Sequence, residues 1–153
     1  MKTLIKAAAF AAVIAAPMSA MAAKTGDSKD VNFNGTVTHT CAITVGSDGT
    51  LGVSGDFGTL GSSTGSGSSG AATVVASGAT FKLYVDAPSS WSGPTAPDSA
   101  SSAVSGDLTV TSAASGGVAV PRGSHDVDVD MTATTASFFE EGDYSAVVTL
   151  RCE

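Results

Sequence analysis

Polar and apolar positions alternate through much of this chain, and the alternation is carried by β-branched and aromatic residues. In Val31–Val45, VNFNGTVTHTCAITV, one set of alternate positions holds Phe33, Gly35, Val37, His39, Cys41, Ile43 and Val45. A period of two predicts a half-buried strand, with Cys41 on its apolar side. Leu51–Leu60 reads as a short kinked strand, its glycines at bends or bulges. Phe81, Leu83 and Val85 alternate with Lys82, Tyr84 and Asp86. Leu108 and Val110 mark a strand near Asp107–Ser112, and Val118–Val120 a short edge strand stopped by Pro121. In His125–Thr132, Val127, Val129 and Met131 oppose Asp126, Asp128 and Asp130. The last strand is Asp143–Cys152, where Tyr144, Ala146, Val148, Leu150 and Cys152 share one face.

Between these runs lie turn signals and loops. Gly61–Gly70, GSSTGSGSSG, is low-complexity and predicts a flexible exposed loop. Ala87–Val104 predicts a Pro/Ser/Ala loop around Trp91. About seven short strands without helices predict an all-β fold, an immunoglobulin-like Greek-key β-sandwich.

The first residues read differently. Lys2 and Lys6 form a basic stretch ahead of a short apolar run, Ala7–Ala16, which Pro17 breaks, and Ala20-Met21-Ala22 offers a small-x-small cleavage pattern. Residues 1–22 therefore read as a signal peptide, too short to span a bilayer, and 23–153 as a single β-sandwich domain. An exported chain with two cysteines, both on apolar strand faces, predicts a Cys41–Cys152 disulfide linking the first and last strands. Without Lys2 and Lys6 the formal charge moves from −7 to about −9. The remaining cations, Lys24, Lys29, Lys82, Arg122 and Arg151, are scattered, which argues against a nucleic-acid partner. No later segment approaches membrane-spanning length.

Few residues suggest chemistry. Asp126, Asp128 and Asp130 are a weak calcium candidate: successive carboxylates stand ~7 Å apart on a strand face, whereas calcium loops curl to converge their oxygens. His39 lies on the apolar register, which predicts partial burial, and His39 with His125 falls short of a zinc set. Ser124-His125-Asp126 is adjacency in sequence, whereas a catalytic triad is assembled in space. The reading is of a protein without enzymatic activity and without a cofactor. Trp91 and Tyr84 are candidate ligand-binding residues, with Trp91 alternatively plugging the end of the sandwich. Asn34-Gly35-Thr36 fits an N-glycosylation triplet but falls within a strand reading.

Phe33, Gly35, Val37 and Cys41, with Asp56–Leu60 (DFGTL) and the ending GDYSAVVTL, resemble the opening, second and closing strands of chaperone–usher fimbrial subunits. Spore-coat-U-like secreted domains share that pattern. The resemblance implies an exported structural or adhesive surface subunit, periplasmic, secreted or in a fimbrium, acting through protein partners (other subunits or an export chaperone). It also implies an incomplete sandwich that receives a strand from a neighbour. Two departures stand beside it. The partner cysteine in that family lies within a few dozen residues of the first, and AKTGDSKD, before Val31, lacks the alternation of a donor strand. The alternative is a self-complete secreted monomer that binds a small ligand, a glycan or calcium.

Overall fold

The computed structural model describes residues 26–153, so the expected leader at 1–22 lies outside the described residues. Two units are distinguished, residues 1–35 and 36–153. In the first, residues 26–35 carry no regular secondary structure and are exposed.

The second unit is all-β. Its strands are β1 (Cys41–Ser47), β2 (Gly52–Val53), β3 (Thr59–Gly61), β4 (Gly70–Ala76), β5 (Phe81–Val85), β6 (Ser89–Ser92), β7 (Ser99–Gly106), β8 (Val110–Thr111), β9 (Val118–Val120), β10 (Gly123–Thr134), β11 (Ser145–Val147) and β12 (Leu150–Cys152). One sheet runs β1-β4-β10-β3-β2, with β7 and β8 also joined through β10. A second sheet is β12-β5-β9, and β11 pairs with β6. All pairings are antiparallel, and the arrangement is sandwich-like.

The alternation read from the sequence sorts the core. Val74, Leu83, Val104 and Val120 are fully buried. Val127 and Met131 face inward from β10, while Asp126 and Asp128 face solvent. A main cluster forms around Val74, Leu83, Val104 and Val120, and a second around Leu60, Met131, Ala133 and Phe139. The predicted disulfide is present: Cys41 and Cys152 are bonded with Cα atoms 6.2 Å apart, closing a separation of 111 residues.

Four expectations change. The strand read over Val31–Val45 begins only at Cys41, because residues 31–40 have no strand partner and stay exposed. The last strand is interrupted: β11 pairs β6 while β12 pairs β5, so the chain passes between partners at Val148–Thr149. The stretch Ala87–Val104, expected as a loop, holds β6, with Trp91 in it, and most of β7. The Gly/Ser stretch 61–70 is not an exposed loop. Its first residue ends β3, Thr50 bridges Ser68, and Ser62 is buried. Glycine is required where its backbone is pressed against other strands: a Cβ on Gly67 would lie 2.3 Å from the Gly61 carbonyl oxygen, and one on Gly52 1.8 Å from that of Thr64.

Candidate functional site: an open seam between two sheet edges

Three strand edges are unpaired along one side of the domain. Among the described residues β1 pairs only β4, β11 only β6, and β12 only β5. At one end of this seam the disulfide joins β1 to β12. Farther along, the edges part and leave a groove of about 830 Å³. One lip is Ile43 and Val45, the other is the run Tyr144–Leu150, and Val129 and Met131 are among the floor residues. The inward positions of the far lip, Ala146, Val148 and Leu150, are only half-buried, and Val45 is exposed although its register points it inward with Ile43. Apolar side chains over unpaired backbone edges are a template for one more strand.

The polar end of the groove is fixed by Asp130. Its carboxylate accepts hydrogen bonds from the hydroxyls of Ser62 and Ser69, each at 2.6 Å, and more distantly from Ser63. These serines come from the low-complexity stretch, so the loop is tied down by side chains that composition alone marks as linker.

The remaining candidates lie apart. Among the described residues no three His, Cys, Asp or Glu side chains converge as a metal site would require. Asp126 accepts the Thr73 hydroxyl at 2.8 Å, and Asp130 is held as above. His125 Nε2 donates to the Pro121 carbonyl at 2.9 Å and does not form a relay with Ser124 and Asp126. His39 is exposed, against the burial expected of it, because the strand begins after it; its ring stacks on Phe81 with centroids 4.5 Å apart. Trp91 packs with Phe139 and Tyr144 at 6.1 and 5.8 Å between centroids, those two rings meet at 5.5 Å, and the indole N–H donates to the Thr95 carbonyl at 3.0 Å. Tyr84 lies beneath the Arg151 guanidinium. That guanidinium is held further toward its charged form by hydrogen bonds to Asp86, by the Asp86 charge and by Glu153. Neither Trp91 nor Tyr84 lines the groove.

Sequence reading missed the groove because alternation marks which face of a strand is apolar, and not whether another element covers it. The usable signal was surplus: Val31, Phe33 and Val37 extend the apolar register beyond the strand that uses it. No membrane-length apolar helix occurs among the described residues. Comparison with family models, with curated proteins and with solved structures finds no match to this chain.

Proposed function

We propose that the protein is an exported, fimbrium-like surface subunit that assembles by lending the segment Val31–Val37 to the groove of a neighbouring copy. The observation that carries this reading is a pair of unmatched features in one chain. The groove lacks a strand, and the chain holds a strand-patterned segment that no sheet uses.

Val31, Phe33 and Val37 are 72%, 91% and 86% exposed. In an extended strand they point the same way, with Gly35 between them leaving room for a close backbone. Residues 31–37 and the lip 144–150 are seven residues each, ~23 Å when extended. Each Val or Phe moved from water into the groove contributes about 1.5–3 kcal/mol, and the unpaired edges of β1 or β11 supply ladder hydrogen bonds. Thr38 and Thr40 are fastened to Ser77 by hydrogen bonds at 2.7–3.2 Å and make no hairpin turn, which favours a neighbour's groove over the chain's own. The exchanged element is thus C-terminal to AKTGDSKD, the segment unsuited to donation. The disulfide accords with an extracytoplasmic location.

The test is the size of mature protein recovered from the periplasm, unreduced and unboiled, by gel and gel filtration. A ladder of multiples is expected, lost in Phe33→Asp while the melting temperature of the domain holds. A single compact monomer from the unaltered chain overturns the reading and leaves the groove as a place for a small ligand.

A further inference from the structure

β10 runs the length of the domain from Gly123 to Thr134, and the two ends it defines differ in kind. Beyond Thr134 the loops 54–58, 93–98 and 135–143 converge. The Phe139 N–H donates to the Phe57 carbonyl at 2.8 Å, that of Thr135 to Gly58 at 3.1 Å, and that of Asp98 to Thr134 at 2.9 Å. Two phenylalanines stand out from this end, Phe57 at 54% and Phe138 at 68% exposed. Phe57 is held at φ 58°, a left-handed backbone that a bulky side chain seldom adopts. Its turn is pinned by Asp56, which accepts from the Ser54 hydroxyl and the Gly58 N–H. An aromatic ring is therefore displayed to solvent from a fastened, strained turn with Gly55 and Gly58 on either side. Around it stand five exposed carboxylates, Asp56, Asp98, Glu140, Glu141 and Asp143, and the three converging loops carry no cation.

The other end, beyond Gly123, carries two cations without an ion-pair partner among the described residues. Arg122 occupies the β9–β10 turn. Lys82, one residue into β5, exchanges backbone hydrogen bonds with Glu153. Both are exposed, and neither has a carboxylate within ion-pair distance among the described residues. Glu153 at this end is engaged by Arg151. Asp107 lies farther along, its carboxylate accepting from the Asp126 N–H. The Phe81 ring at this end is half-buried and stacked under the exposed His39 imidazole.

We propose that the acidic, phenylalanine-bearing end of one copy docks on the Lys82/Arg122 end of the next. The occupant is a second copy because the complementary charge is on the same chain, at the opposite end. Unlike ends generate a heterologous contact that repeats without closing. The five carboxylates of the loops that hold Phe57 and Phe138, loops without a cation of their own, disfavour an anionic surface as the alternative. This contact rests on the reading that copies assemble, and it is separate from the strand exchange in residues and in physics: it is reversible and weakened by salt, since the Debye length is ~8 Å at physiological ionic strength.

The experiment uses the mature chain carrying Phe33→Asp, which removes the exchanged strand, in sedimentation velocity over a concentration series at low and high salt. Reversible self-association is expected at low salt, falling as salt rises. Phe57→Gly, which suits the backbone at that position, combined with Phe138→Ser should weaken it about tenfold or more. In the same background, Glu140→Lys with Glu141→Lys, and separately Lys82→Glu with Arg122→Glu, should each abolish self-association. Mixing the two restores it, because each variant keeps the native end the other lacks. Monomer at every concentration, with no recovery on mixing, overturns the proposal. That outcome leaves a wild-type ladder intact. Loss of the ladder with salt-sensitive pairing retained would instead remove the strand exchange and leave this contact standing.

Discussion

The two halves of one seam behave differently. Where Cys41 meets Cys152, the edge strands are bonded and the second sheet continues through β5 to a fully buried Leu83. Four residues along β1, Val45 occupies the same register and stands in solvent opposite the half-buried Val148. Nothing in the local sequence separates these positions; both are alternate members of apolar runs. What separates them is the number of neighbours. In the closed half the disulfide ties the two edges together, and in the open half nothing among the described residues bridges them. A disulfide at one end and unpaired edges at the other leave the folded domain with a groove.

The sharpest way to break this comparison is to open the closed half. Replacing Cys41 and Cys152 by serine releases a separation of 111 residues and should cost about 4–5 kcal/mol by chain entropy. This is a large share of a domain's ~5–15 kcal/mol. Urea unfolding of the variant beside the oxidised parent would show it, and equal midpoints would mean that the strands, not the bridge, close that end.

A substitution in the open half should separate stability from assembly. Val45→Asp places a charge on an exposed position of the groove lip. The unfolding free energy should move by no more than about 0.5 kcal/mol, while the ladder of multiples disappears. Strong destabilisation with the ladder retained would show that the groove is ordinary core.

The smallest effect belongs to the Phe57 turn. The Ser54 hydroxyl, and then the Gly58 N–H, hold the Asp56 carboxyl below its ordinary range. A carboxyl depressed in the folded state adds stability above its unfolded value, and that contribution is lost as pH falls through the folded value. Asp56→Asn should therefore lower the melting temperature slightly at neutral pH and leave the acid end unchanged, so that the acid side of the profile flattens. The residue is fully exposed, so a large change would point to a wider rearrangement of the turn.

Much of the fold was legible because period-two patterning is local. Val127 and Met131 against Asp126 and Asp128, or Leu83 against Lys82, sort without knowledge of the partner strand. The paired cysteines followed from compartment and register. The extent of the first strand was not legible, since Val37 and Ile43 have the same character and only the length of β4 decides which of them is paired. The Gly/Ser stretch misled for a related reason. Serine composition signals solvent, but the Ser62 and Ser69 hydroxyls are spent on a single carboxylate, that of Asp130, 68 and 61 positions away. Trp91 reads as loop because its strand is only four residues long and stands among serines and prolines, without an alternating apolar run.

The close approach of Gly52 and Gly67 carries a consequence for how this chain can vary. Stretches of glycine and serine ordinarily accept almost any replacement, and strand interiors accept few. Here that order is reversed over a short span. Alanine at Gly67 would drive a methyl group into the Gly61 carbonyl, and alanine at Gly52 would strike Thr64, whereas Thr44 and Val75, in strands, face solvent. A library of single substitutions should find the low-complexity segment among the least permissive parts of the domain, so simplicity of composition here records crowding.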